Sequence, residues 1–192
     1  MPARAPQQDG VAGPTVALHV CCGPCATAVI ERLRASHDVR AVWYNPNVHP
    51  GDEHQRRLEA MQRVAELSDV PLAVLEYDPC VWYRVCEGLM AEPEGRSRCD
   101  VCFRLRLERV AQWAAEQGVG AIATTLTVSP YKPAGRINPI GTDVARAHGL
   151  AFVAEDFGKR AGFARSVELS RQWGLFRQSW CGCAPSRRRG AR

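Results

Sequence analysis

No apolar run in this 192-residue sequence approaches the roughly 20 positions needed to cross a bilayer, so a membrane-spanning protein is not expected. Residues 1–13 lack the basic-then-apolar plan of a secretory signal and read as a flexible tail on a cytoplasmic protein. There is no internal repeat and no low-complexity segment, which removes repeat and fibrous architectures. With 46% hydrophobic residues the chain can bury an ordinary core, so intrinsic disorder is excluded away from the ends. The length suits one substantial domain.

Cysteine, by contrast, is abundant, with nine in the chain. A disulfide-stapled secreted protein would be shorter and carry a signal, so the thiols point to metal binding or redox chemistry. The net charge of +5 is moderate, but Arg187, Arg188, Arg189 and Arg192 crowd the last residues. Such a basic tail suits a polyanion such as RNA, and equally suits a solvated chain end.

Apolar runs alternate with helical patterns. Strands are expected at 16–20, 39–44, 70–75, 121–125 and 150–153, and helices over 25–34, 52–67 and 99–117, the last closed by Gly118. That alternation predicts a single α/β domain with a mostly parallel sheet covered on both faces. Ligands then bind beyond the carboxyl ends of the strands. Cys21 and Cys22, the segment Asn45 to His49, and the Thr124 to Lys132 loop all fall there. The loop from Ala91 to Arg98, rich in Gly, Pro and charge, reads as a mobile flap.

The cysteines form three short clusters of different geometry. Cys21-Cys22-Gly23-Pro24-Cys25 lies at a strand-to-helix turn. Cys99-Asp100-Val101-Cys102 opens a helix, where backbone N–H groups favour thiolates. Cys181-Gly182-Cys183 lies near the C-terminus. Cys80 and Cys86 stand apart among apolar neighbours and read as core fillers. Cys22-Gly23-Pro24-Cys25 alone matches a thioredoxin-type active site, but that reading leaves the other clusters unexplained. Cys21 or Cys22 with Cys99 and Cys102 would also suit a structural zinc, and four thiolates equally suit a [4Fe–4S] cluster; spacing does not choose between them. Two cysteines separated by one glycine bridge only through a tight ring that is easily reduced, which favours an electron relay over a pair of spare ligands.

Taken in order, these segments resemble the QueH-type epoxyqueuosine reductases. The likeness runs from Leu18-His19-Val20-Cys21-Cys22-Gly23-Pro24-Cys25 through Tyr44-Asn45-Pro46-Asn47-Val48-His49-Pro50, Glu92-Pro93-Glu94-Gly95, Arg98-Cys99 and Cys102-Phe103. It continues through Thr124 to Lys132, Asp156-Phe157, Arg165-Ser166 and Phe176-Arg177-Gln178, and closes at Cys181-Gly182-Cys183. The resemblance implies a PP-loop (adenine-nucleotide hydrolase-like) fold with a modified, cysteine-bearing loop after the first strand. Pro24 lacks an N–H and the cysteines offer no phosphate cradle, so ATP activation is not expected there.

The resemblance further implies a [4Fe–4S] cluster on Cys21, Cys22, Cys99 and Cys102, and a redox-active disulfide of Cys181 and Cys183. The implied reaction removes the epoxide oxygen of epoxyqueuosine in the anticodon of tRNA, with electrons from a donor the sequence does not identify. Cys25 is a candidate ligand for an additional iron or other metal ion, or else packing. His49 and Tyr131 are candidate catalytic residues, and Tyr131 and Lys132 candidates for contact with ribose or phosphate. Rings at Trp43, Tyr44, Trp82 and Tyr83 would grip a flipped base where they are not core, and Arg165, Arg177 and the final arginines would meet phosphates. The expected organisation is a tail at 1–13, a reductase domain at 14–186 and a basic tail at 187–192.

Overall fold

Five runs of β-branched and small apolar residues form a sheet that is parallel throughout. A computed structural model describes residues 13–187. Apart from Gly13 and Arg187, the tails expected over 1–13 and 187–192 lie outside the described residues. The elements follow as β1 (Thr15–His19), α1 (Gly23–Leu33), β2 (Asp38–Trp43), α2 (Gly51–Ser68), β3 (Leu72–Val74), α3 (Pro79–Val85) and α4 (Ser97–Glu116). They continue with β4 (Ala121–Thr124), a 3-10 turn over Thr125–Val128, α5 (Ala134–Ala147), β5 (Ala151–Phe152), α6 (Gly162–Gln172) and α7 (Ala184–Arg187). The sheet order is β3-β2-β1-β4-β5. Val16 in β1 is paired with Val39 on one side and Ala121 on the other.

The expected α/β class and parallel sheet therefore hold. The two outer strands are shorter than the apolar runs that predict them, because each has a neighbour on one side only. Helix α3 carries no clear apolar period and is defined instead by its cap: the Asp78 carboxylate accepts the N–H of Cys80 at 2.9 Å. Among the described residues no helix is long and apolar enough to cross a membrane.

Alternation along β1 divides the core. Val16, Leu18 and Val20 pack with Val29, Ile30, Leu58 and Met61 of α1 and α2. Ala17, with Val42 of β2, packs against Leu107, Val110, Ala114 and Val144 of α4 and α5. Side chains two apart on a strand share a face, so one strand feeds both layers. Close packing of α1 on α2 requires Gly23, since a Cβ there would stand 2.6 Å from the carbonyl oxygen of Ala60. The strand order reverses between β1 and β4, and the crossovers leave a crevice beyond their carboxyl ends. There, His19 Nδ1 and Thr124 Oγ1 are 2.9 Å apart and tie the two strands together.

A second buried histidine predicts the acid response. His54 Nε2 accepts the indole N–H of Trp43 at 2.9 Å, and its ring stacks on Tyr77 with centroids 3.9 Å apart. An accepting nitrogen has to be unprotonated, and burial, reinforced by the Arg57 charge, lowers the His54 pKa from 6.5 to about 4. The unfolded chain thus binds one more proton than the folded chain between these values. The contribution is complete above pH 6.5 and declines as pH falls toward 4, by about 1.4 kcal/mol per unit. The urea midpoint should drop between pH 7 and pH 5; a midpoint unchanged over that interval would contradict the assignment.

Candidate active site

The first thiol cluster is built by the turn from β1 into α1. Cys22 is the N-cap of α1, its Sγ accepting the N–H of Cys25 at 3.3 Å, and Pro24 occupies the first turn, where no N–H is needed. This brings the Sγ atoms of Cys21, Cys22 and Cys25 within 4.8 Å of one another. Thr125, just past β4, closes the turn from the other side of the crevice. Its hydroxyl accepts the Cys21 N–H at 3.0 Å and donates to Cys21 Sγ at 3.2 Å. Hydrogen bonds from Cys22 and Cys25 hold Cys21 well below the usual thiol range. Burial pushes Cys22 up to about 12, and its hydrogen bonds to Cys21 and Cys22 raise Cys25.

The second pair opens α4. Cys99 accepts the Gly95 N–H at 3.1 Å, and Cys102 follows one turn later. The helix start is expected to favour thiolates, but burial prevails and raises both thiols. Such a pair sheds its protons only when a cation takes their place. The Ala91 to Arg98 segment, expected as a mobile flap, is pinned. Buried Arg98 donates to the carbonyl oxygens of Leu89, Met90 and Glu92, and its N–H reaches the Glu92 carboxylate at 2.8 Å.

The third cluster depends on Arg57 of α2, 2% exposed and paired with Glu53 at 2.8 Å. Its guanidinium donates to the carbonyl oxygens of Cys181 at 2.9 Å and Trp180 at 3.2 Å. Gly182 has φ of 111°, and a Cβ there would meet Arg57 Nη1 at 2.7 Å, so both conformation and space demand glycine. All nine cysteines are free thiols. Cys181 and Cys183 are nonetheless unequal. A hydrogen bond from Cys183, followed by the charges of Lys132 and Arg106, pulls Cys181 well below the usual range. Donation to Cys181 and burial push Cys183 up.

The second and third clusters face each other across a cavity of about 150 Å³ lined by Cys99, Cys102, Cys181 and Cys183 together with Glu94 and Arg106. Cys21 packs beside it, against the group formed by Cys99, Phe103, Leu126 and Ile137. Two cations bind the clusters electrostatically. Burial would lower the Arg106 and Lys132 pKa values, but Arg106 is held up by Cys102, Cys21, Cys181 and Cys99, and Lys132 by Cys181, Cys21 and Cys25. Glu94 is raised by lost hydration and by Cys181.

Tyr131 lines this cavity and is 81% exposed, a ring where the cavity meets solvent. The His49 ring is turned away from the cysteines: Trp82 stands against it, 5.2 Å between centroids, and the ring faces a separate cavity, while the His49 backbone N–H reaches the carbonyl oxygen of Gly182. Cys80 is no core filler but exposed on the first turn of α3, because the Asp78 cap turns that end of the helix outward. Cys86 is buried as expected, yet not isolated; it packs with Cys102, Cys183 and Trp82, and burial pushes it up to about 12. Trp43 and Tyr44 are core. Arg165 is engaged by Glu31 and Glu168 at 3.0 Å each, and Arg177 by Ser170 at 3.1 Å.

Thr125, Arg57 and Arg106 carry no motif of their own. Thr125 falls in the strand-end loop singled out in the sequence, and Arg57 left a trace as a charge on the apolar face of an amphipathic helix, four residues after Glu53. The donors at the site are thiols, and two of their sulfurs accept backbone N–H groups beside two cations. This set suits a soft, thiolate-ligated metal whose negative charge the cations offset.

A sequence model of the family described as epoxyqueuosine reductase QueH matches residues 16–189. Similar proteins include the epoxyqueuosine reductase QueH of Streptococcus pyogenes serotype M1, 39% identical over 176 residues that cover 88% of this chain and 69% of the relative. That of Staphylococcus epidermidis is 36% identical over 178 residues, covering 88% of this chain and 75% of the relative. That of Thermotoga maritima is 34% identical over 172 residues, covering 88% of both chains.

Proposed function

The chain belongs to the epoxyqueuosine reductase QueH family, and from that premise we propose that it converts epoxyqueuosine in tRNA to queuosine at the cysteine-lined cavity. The observation that carries this reading is the convergence of thiols from three distant segments, with Arg106 and Lys132 between them, at the point where the strand order reverses. A [4Fe–4S] cluster on Cys21, Cys22, Cys99 and Cys102, with Cys25 offering a ligand to a second metal, would supply single-electron transfer and a Lewis acid for the epoxide oxygen. The N–H···S bonds to Cys22 and Cys99 would tune the potential of such a cluster.

The protein's own residues complete the balance. Opening the epoxide to an alkene and water consumes two electrons and two protons; oxidation of the Cys181 thiolate and the Cys183 thiol to a disulfide releases two electrons and one proton, and the second proton comes from solvent. An external donor then restores the dithiol. Cys181, the more acidic thiol, gives up the first electron, and its bond to Cys183 closes as the second electron leaves. Arg106 and Lys132 keep anionic sulfur stable in the cavity, and Tyr131 and Lys132 meet the nucleotide as it enters. The reductase domain spans 14–186, the arginines of 187–192 add positive charge for RNA, and the protein acts in the cytoplasm.

The test is turnover. Anaerobic protein supplied with a strong reductant should remove one oxygen from epoxyqueuosine in tRNA, read by mass spectrometry of the digested nucleosides. An unchanged nucleoside from protein with its full metal content would refute the assignment.

A further inference from the structure

A second cavity lies directly behind the first. It measures about 640 Å³ and is lined by His49, Tyr77, Tyr83, Pro50, Pro79 and Arg187, among others. Trp82 forms the partition: it lines the cysteine cavity and meets His49 and Tyr83 edge-on at 5.2 and 5.3 Å. The Cys-Gly-Cys segment continues the wall, because the His49 N–H donates to the Gly182 carbonyl oxygen at 2.8 Å, while Cys183 lines one cavity and Ala184 the other.

We propose that this cavity binds an unpaired nucleobase of the RNA substrate, a neighbour of the modified nucleotide in the same loop. The inference rests on tRNA being the substrate. Its two tyrosines each have one face already backed by a histidine, Tyr83 on His49 at 4.8 Å and Tyr77 on His54 at 3.9 Å. The Tyr77 hydroxyl is anchored as well, donating to the Val48 carbonyl oxygen at 2.7 Å. Rings immobilised in this way lose little freedom when a base stacks on them, and stacking accepts any base. Tyr83 is 42% exposed, an unusual position for a tyrosine stacked against a buried histidine. Among the described residues no carboxylate lines the cavity while Arg187 does, and the sequence continues with Arg188 and Arg189, so the charge suits a phosphate backbone. Because Trp82 stands between the two cavities, neighbouring nucleotides of one loop can be turned one into each.

The probe is an anticodon stem-loop RNA carrying 2-aminopurine next to the modified position, with full-length protein. Stacking on Tyr83 should quench the fluorophore when the wild-type protein binds. Tyr83→Leu should abolish the quenching and weaken binding on the order of 10- to 100-fold, whereas Tyr83→Trp should retain both. Quenching and affinity unaltered in Tyr83→Leu would overturn the subsite, and normal turnover by that variant would leave the reductase reading intact. Conversely, wild-type protein that quenches but never reduces epoxyqueuosine would sink the reductase reading alone. If Tyr83→Leu slowed turnover only with a protein electron donor and not with dithionite, quenching being unchanged, the cavity would belong to the donor and the proposal would fail.

Discussion

Cys99→Ala and Cys102→Ala are each expected to give colourless protein without turnover, while Cys80→Ala remains brown and active. The wild-type protein should hold about four irons per chain with broad absorption near roughly 400 nm. Cys99 and Cys102 open α4 on one wall of the cavity, both buried, and supply half of the four thiolates assigned to the cluster. Deleting a ligand also removes the binding energy that holds the crevice together, so the melting temperature should fall along with the colour. Cys80 lies outside this arrangement, exposed on α3, and its removal touches nothing at the site. Cys86→Ala is an intermediate case. Its thiol packs on Cys102 and Cys183, so the variant should keep its iron but lose about 1 kcal/mol of stability. Stoichiometric zinc in anaerobically prepared wild-type protein, or bleaching by Cys80→Ala, would show that the ligands have been misassigned.

Serine at Cys181 or Cys183 should leave the absorption unchanged and suppress turnover. The pair is assigned both electrons and one proton, and losing a group that delivers a proton costs on the order of 10²- to 10⁴-fold. The two positions should also differ. Cys181, held low by Cys183, Lys132 and Arg106, should be alkylated by iodoacetamide faster than Cys183, whose thiol is held protonated by burial and by its hydrogen bond to Cys181. Gly182→Val keeps both sulfurs, but a side chain at φ of 111° is strained and collides with Arg57, so bridging should slow and turnover should fall without bleaching. Thiol counts under denaturing conditions should rise by two when oxidised protein is mildly reduced. No gain, or loss of absorption in the serine variants, would make the pair metal ligands rather than a relay.

Much of this was legible from residues alone. The β1 and β2 runs are apolar almost throughout, as strands buried on both faces must be, and their parallel pairing follows from the helix between them. The three cysteine clusters declared themselves because sulfur chemistry concentrates in a few residues at short spacing. Cys80 and Cys86 could not be told apart in the same way. Both sit among apolar neighbours, but the Asp78 cap and the short length of α3 turn one outward and the other onto Cys102. The cavity that the His49 ring faces was hidden for a related reason, since a strand-end position says that a residue is near the crevice, not which side of Trp82 its ring occupies.

What the sequence determined by itself was therefore everything set by local composition and period: an α/β domain, a cysteine loop after the first strand, a thiol pair opening a helix, and a glycine between two thiols. Tertiary structure alone decided which distant groups share a cavity. Arg106 is brought among Cys21, Cys99, Cys102 and Cys181, and Arg57 reaches the carbonyl oxygen of a residue 124 positions away. Thr125 grips Cys21 across 104 residues. Burial, moreover, reversed the thiolate preference that the start of α4 would have conferred. The physical reason is that hydration and Coulomb energies depend on distance through space and on exclusion of water. Neither is encoded in the spacing of residues along the chain until the sheet has closed and the crevice has formed.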